Sequence, residues 1–458
     1  MRTFTRKCLS PSSSPKLQIV RKILGAIALF GLSATVAHAV PSYARQTGSD
    51  CASCHVGSYG PQLTPYGIKF KLGGYTDSDG QEGKIPLSAM TSFGITQTGK
   101  APADGSQHKT NSTSMETSVF LAGRLTDNIG IFSQATTAYN ERTVSLDLLD
   151  LRYARTLKLG DGEATVGLSL NNNPTLGDPF NTLSQWRFPY ITSSKFGVGV
   201  GAFSPMVENL AAAVYGLNAY SMINNSIYVE GGLYNTPSRP DLVGVNGNLD
   251  IGKFKRLGYY GRVAYFKDLK RQNFSVGLLG FNARIQPDRY DQSGLADNYS
   301  DLGVDASYQF LGNREHIFTL NTSYIKEWQK LNFSVPDEAK NSINQFRLAA
   351  SYHYNQTWGL TAGVFDTHGS LHTVNTDNGS LNGRPTTTGY TLQADWTPLG
   401  KESSWGAPFA NVRLGVQYTG YTKYMGGSSY NTTDADGNTV ERKAKDNNTL
   451  MLFLWTSI

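Results

Sequence analysis

Gln345-Phe346-Arg347-Leu348-Ala349-Ala350-Ser351-Tyr352-His353-Tyr354 is the stretch that decides the fold. Phe346, Leu348, Ala350, Tyr352 and Tyr354 share one parity, and Gln345, Arg347, Ser351 and His353 share the other. Successive side chains of an extended chain point to opposite faces, so this segment has one apolar and one polar wall. The same alternation recurs. Val412, Leu414, Val416 and Tyr418 oppose Asn411, Arg413, Gln417 and Thr419, and Leu149, Leu151, Tyr153 and Leu157 oppose Asp150, Arg152 and Thr156. Val119, Leu121 and Leu125 oppose Arg124 and Thr126, and Leu257, Tyr259, Val263 and Tyr265 oppose Arg262 and Ala264. Such strands suit a half-buried soluble sheet or a barrel whose outer face meets lipid.

Three features favour the barrel. The alternating stretches are long and often end in tyrosine or tryptophan, as aromatic girdles at membrane interfaces require. Very short turns (Asp127-Asn128-Ile129-Gly130, Gly160-Asp161-Gly162, Asn224-Asn225) alternate with long polar excursions at 99–113, 172–194, 235–253, 286–299, 371–387 and 424–446. The chain stops inside an apolar run, Thr449-Leu450-Met451-Leu452-Phe453-Leu454-Trp455-Thr456-Ser457-Ile458, and a barrel must end on a strand that leaves no open edge. Seventeen strand candidates follow residue 84. Single-chain bacterial barrels have even numbers, so the expectation is sixteen. The fold class is all-β, a transmembrane outer-membrane barrel over 85–458, with an array of soluble β-sandwiches as runner-up.

Composition agrees. Only 17% of the 458 residues are charged, against roughly 25% in soluble domains, and 48 glycines and 25 tyrosines favour turns and strands. The net charge of +6 suggests nucleic acid only until it is located. Residues 1–39 carry Arg2, Arg6, Lys7, Lys16, Arg21 and Lys22 and no acid, so 35 basic and 35 acidic residues remain beyond them. No nucleic-acid partner is expected. Residues 1–39 read as a cleavable signal peptide: a basic start, an apolar core from Ile23 to Val36, then Ala37-His38-Ala39. That core is too short to span a bilayer interior of about 30 Å.

The exported remainder keeps two cysteines, in Cys51-Ala52-Ser53-Cys54-His55. This is the spacing of covalent haem c attachment, with Cys51 and Cys54 holding the porphyrin and His55 the iron as proximal ligand. A disulfide here would close too small a loop to staple much. A redox dithiol belongs at a helix start after a strand, and zinc would need further ligands nearer than His108. For the sixth iron ligand, Met90 is the nearest methionine. An open position and a lumenal residue such as His353 are the alternatives.

Residues 40–84, the haem segment, are too few to shield a macrocycle alone. Sixteen strands enclose more space than side chains fill, so the segment is expected inside as a plug. Inward arginines (Arg124, Arg152, Arg262, Arg347, Arg413) would then face either haem propionates or lumenal acids such as Asp150. Asp77-Ser78-Asp79-Gly80 and Asp434-Ala435-Asp436-Gly437 read as turns rather than calcium loops, and His368 with His372 as a chance pair.

Pro41-Ser42-Tyr43-Ala44-Arg45-Gln46-Thr47-Gly48, the haem motif, Pro61-Gln62-Leu63-Thr64-Pro65-Tyr66-Gly67, Phe70-Lys71, Gly73-Gly74-Tyr75-Thr76 and Asn171-Asn172-Asn173-Pro174-Thr175 carry a family resemblance. The chain resembles the fused outer-membrane monohaem c-type cytochrome–porins, whose best-known members oxidise Fe(II) at the bacterial surface. The resemblance implies a sixteen-stranded barrel holding one haem c at Cys51, Cys54 and His55. It implies outer-membrane localisation and electron transfer from an extracellular donor to a soluble periplasmic cytochrome c. Val56-Gly57-Ser58-Tyr59-Gly60 differ from the iron-oxidising members, which leaves the donor open between Fe(II) and another reductant. Fe(II):cytochrome c oxidoreductase activity is one form of that role. The rival from another class is a solute porin in which haem is a gate or brace.

Overall fold

The computed structural model describes residues 41–103, 105, 110–138, 144–183, 204–238, 250–401, 404–406 and 410–458. Residues 1–39, expected to be a signal peptide, lie outside the described residues. Sixteen antiparallel strands build one closed sheet: β1 (Leu87–Thr98), β2 (Asn111–Arg124), β3 (Ile129–Ala138), β4 (Ser145–Leu159), β5 (Gly162–Asn171), β6 (Tyr215–Ile223), β7 (Ile227–Asn235) and β8 (Gly258–Asp268). They continue as β9 (Gln272–Gln286), β10 (Asp297–Phe310), β11 (His316–Lys330), β12 (Lys340–Tyr354), β13 (Trp358–Gly369), β14 (Thr387–Trp396), β15 (Asn411–Lys423) and β16 (Thr449–Ser457). Each pairs with its successor. β16 lies between β15 and β1, so Ser457 faces Asn411 on one side and Met90 on the other. The apolar terminal run is thus the closing strand, and every strand edge of the wall is paired.

Alternation is realised along the whole wall. Leu217, Leu233, Val263, Leu278, Leu302, Leu360 and Leu392 point outward and exposed, whereas Asn218, Arg262, Asp301, Thr361 and Gln393 point inward and are buried. So continuous an exposed apolar band is stable against lipid and not against water. Outward aromatics crowd its two borders. Phe310, Tyr354, Trp358 and Trp396 sit at one, the tryptophan rings stacked at 5.8 Å, and Tyr259, Trp328 and Tyr390 sit at the other. Among the described residues no helix is long and apolar enough to cross a membrane; the strands do so.

All the tight turns, at 125–128, 160–161, 224–226, 269–271, 311–315 and 355–357, lie at one end with the chain's entry to β1 and exit from β16. Except that between β14 and β15 (Trp396 to Asn411), which leaves and re-enters at the short-turn end, the long connections lie at the other. The last carries a small hairpin of its own, Ser429–Thr433 with Thr439–Lys443. Short turns mark the periplasmic end of such barrels.

One excursion departs from expectation. Residues 172–183 do not project as an outer loop. They fold into the lumen, where Leu176, Phe180 and Leu183 are buried; residues 184–194 of that excursion lie outside the described residues. The reason is that its polar side chains satisfy backbone groups. Leu149 N–H donates to Asn172 Oδ1 (2.9 Å), and Thr175 N–H to Asn173 Oδ1 (3.0 Å). The Asp178 carboxylate accepts from the N–H groups of Phe180 (3.0 Å), Thr182 (2.8 Å) and Leu183 (3.1 Å). A polar string that reads as solvated loop therefore caps a buried turn. Residues from Val207 to Val214, past the undescribed stretch, pack with Leu183 against Tyr234, Tyr260, Phe281 and Ile325 of the wall.

Candidate functional site

The segment ahead of β1 lies within the lumen at its short-turn end. It contributes α1 (Pro41–Thr47), α2 (Cys51–Cys54) and α3 (Pro65–Leu72). Its seats surround it. Tyr43 Oη donates to Ile131 O (2.7 Å), Gln46 Oε1 accepts from Arg124 N–H (2.6 Å), and Tyr75 Oη donates to Asp150 Oδ2 (2.6 Å). Ala52 N–H donates to Gly400 O (3.1 Å), Asn411 Nδ2 to Ser58 O (2.6 Å), and Gln309 Nε2 to Leu63 O (2.8 Å). Leu63, Ile68 and Leu72 pack on Phe180, Tyr220, Met222, Tyr228 and Phe266, so the plug and the inward loop share one core. Lys71 Nζ donates to Asp178 O (2.6 Å) and Asn181 Oδ1 (2.8 Å), tying the plug helix to that loop.

Locally, the motif folds as its residues dictate. Asp50 caps α2, accepting from Ser53 N–H (2.8 Å), and His55 closes the turn with its N–H on Cys51 O (2.9 Å). Thr64 caps α3 and also donates through Oγ1 to Ser53 O (2.6 Å). Gly67 permits this contact between helices: a Cβ there would stand 2.4 Å from Cys54 O. Cys51 and Cys54 are not joined by a disulfide. Burial, reinforced by Asp50, pushes each up to about 12 (Cys51 adds to the effect at Cys54). A redox dithiol needs a depressed thiol pKa, so that alternative finds no support.

The residues present fit a haem c. His55 Nδ1 lies 3.3 Å from Gln62 O. A carbonyl only accepts, so Nδ1 carries the proton and Nε2 presents its lone pair, the arrangement of a metal-binding imidazole steadied by its second ring nitrogen. Burial lowers the His55 pKa to about 4, which keeps the ring neutral. Nearby, Ser58 Oγ, Gln62 Nε2 and Arg413 Nε are buried without hydrogen-bond partners. A Cβ on Gly60 would sit 3.3 Å from His55 Cε1, and one on Gly57 would sit 2.5 Å from Cε1 of His353. Cys51, Cys54, His55 and His353 are thus brought to one place. Met90 belongs to the lumenal parity of β1, with register partners Ser118 and Ser457.

The inward arginines are claimed by acids. Arg152 pairs with Asp150 (2.7 Å), Arg262 with Asp305 (2.6 Å) and Asp178 (3.2 Å), Arg347 with Glu208 (3.0 Å) and Arg413 with Asp395 (2.9 Å). Arg124, the last residue of β2, turns out of the lumen to Asp127. Sequence reading missed Arg314, which lies on a tight turn and donates through Nη1 to Ala52 O (3.4 Å) between the two cysteines. Burial lowers its pKa, and Asp50 counteracts this. Its only forecast was its place in a short polar turn. The weaker constellations resolve as local structure. Asp434 accepts from the N–H groups of Asp436 and Asn438, His368 pairs with Asp366, and His372 caps Thr373–Asp377. Among the described residues no group of three or more His, Cys, Asp or Glu side chains is placed to hold a metal ion.

A closed sixteen-stranded barrel with a lipid-facing apolar band defines a porin-like protein of the bacterial outer membrane. No protein-family model matches the chain, and no curated protein matches it. Among solved structures, Salmonella typhi OmpF in complex with daunomycin is similar over 82% of this chain and 98% of that one, at 13% identity and a TM-score of 0.49. Vibrio cholerae OmpT, folded in vitro, is similar over 81% and 96%, at 12% identity and a TM-score of 0.42. A mutant of the Rh. blastica porin is similar over 81% and 99%, at 12% identity and a TM-score of 0.41.

Proposed function

We propose that the protein transfers electrons across the outer membrane, from an extracellular donor (Fe(II) being one candidate) to a soluble periplasmic cytochrome c. The observation that carries this reading is the Cys51–His55 motif held inside the barrel at its periplasmic end. Haem c, when bound, supplies a one-electron redox centre. The chain's own residues do the rest. Cys51 and Cys54 anchor the group, and Gln62 fixes the tautomer of His55. The wall and inward loop bury Arg152, Arg262, Tyr228 and Tyr234 completely, which would keep water from that side of the group.

The porin-type wall favours a second reading, a solute porin with haem as brace or gate. Proteoliposomes loaded with a soluble cytochrome c separate the two. Under the electron-transfer reading, external Fe(II) or another membrane-impermeant reductant reduces the trapped cytochrome, the Cys51→Ala/Cys54→Ala variant abolishes this, and planar bilayers show little ion current. Solute flux and steady conductance without reduction by any impermeant donor would leave only the porin.

A further inference from the structure

The haem-attachment motif supplies one iron ligand, and a residue of the barrel wall faces the same loop. His353 is the penultimate residue of β12, on the lumenal parity and 6% exposed. Its ring lies where a side chain on Gly57 would be, 2.5 Å (Cε1) and 2.6 Å (Nδ1) from the ideal Cβ position. Gly57 has φ +70°, so both its backbone and its missing side chain suit glycine. The preceding residue makes the fit specific. Val56 packs with Leu311 and Ile317, and Ile317 is the register partner of His353 on β11. The loop that begins at His55 is therefore pressed against the strand pair carrying His353.

Among the described residues no hydrogen bond reaches the His353 ring. Its charged neighbours are Asp395 and Arg413, which are committed to each other at 2.9 Å. With no hydrogen bond made, the neutral ring keeps a nitrogen lone pair that a metal could use. We propose that His353 supplies the second axial ligand of the haem iron carried by His55. The iron would then be bis-histidine, and its coordination would fasten the plug to the barrel wall. The inference rests on the haem reading above. Met90, the competing ligand, also faces the lumen, but its register partners are Ser118 and Ser457, whereas His353 abuts the motif's own loop. Methionine ligation raises a haem's potential, so two histidines place it lower.

The test is spectroscopic, on purified full-length holoprotein, with resonance Raman and electron paramagnetic resonance reading spin and ligation. Wild-type protein is expected to be six-coordinate and low-spin. In His353→Ala that signature is lost to a high-spin ferric form, added imidazole restores it, and Met90→Ala leaves it unchanged. Retention of the folded, heat-modifiable gel band shows that the variant still forms its barrel. If His353→Ala does not fold, Gly57→Ala serves instead, since its methyl must displace the His353 ring and weaken the low-spin signature. An unchanged spectrum in the His353 variant, a change confined to Met90→Ala, or a wild-type iron already high-spin each overturns the inference while the haem reading stands. Wild-type protein without covalent haem overturns the haem reading itself, and this inference with it.

Discussion

Replacing Arg152 with methionine should loosen the plug without unmaking the barrel. The guanidinium joins three parts of the molecule. From β4 its Nε donates to Asp150 Oδ2 (2.7 Å), Nη1 to Lys71 O on the plug (3.3 Å), and Nη2 to Gly177 O on the inward loop (3.1 Å). It also stands 5.5 Å from the ring centre of Tyr75 and 5.2 Å from that of Tyr220. Methionine preserves bulk but leaves the buried Asp150 carboxylate, among the described residues, with only Tyr75 and Ser169 as donors. Removing one partner of a buried ion pair costs about 3–5 kcal/mol, and orphaned buried acceptors cost roughly 1–3 kcal/mol each. The uncompensated charge dominates, so Arg152→Met combined with Asp150→Asn should recover most of the loss. Hydrogen exchange of residues 41–84 under a urea titration reports plug docking separately from the wall. Bilayer conductance should rise in the single variant as the lumen opens. A single-variant cost under about 1 kcal/mol, or a double variant as damaged as the single one, would refute the claim that buried charge holds the plug.

Two further outcomes are expected. The Cys51→Ala/Cys54→Ala chain should lose acid-stable haem staining yet keep its heat-modifiable gel mobility, since neither thiol contributes to a strand; acid-stable haem in that variant would refute the attachment assignment. Burial, then the Arg152 charge, lowers the Lys71 pKa from 10.5 to about 7. Between those two values the unfolded chain binds the extra proton, so plug stability should rise as pH climbs from about 7 toward 10 and be flat below 7. Lys71→Met should erase that slope in the same exchange measurement, and a slope of unchanged size would count against the buried lysine.

The sequence made the wall legible because a period of two admits few alternatives over fifteen residues. Gln345 to Tyr354 lie on β12 with the parities expected, and sixteen strands span the wall as the even-number rule required, the sheet's seventeenth being the two-residue Lys253–Phe254 at the rim beside Ile285 and Gln286. The plug could be placed only by elimination, from a segment read as too small to bury a haem by itself. What stayed hidden was tertiary. Nothing local distinguishes Asn172-Asn173-Pro174-Thr175 as a buried turn from the same residues in a solvated loop, because the choice depends on whether Leu149 and Asp178 await them. The arginines were legible as inward-facing from Arg152 onward. Their acidic partners lie up to 139 residues away, as Arg347 and Glu208 do, and only closure of the sheet brings them together.

His353 sits at the inner mouth, thirteen residues from where β12 begins at the outer one. At about 3.3 Å per residue and a tilt near 40°, the vertical gap between those mouths is roughly 30 Å. Electron traffic through the molecule, as proposed, would therefore be lopsided. Under the proposed role, a periplasmic acceptor would meet the motif near the inner mouth, while a donor resting on the outer loops would be separated from it by the height of the barrel. Tunnelling over such a distance in one hop would be slow, so the pace of turnover would be set on the donor's side of the membrane. An inserted relay in the upper lumen would be the single alteration with most power to quicken it.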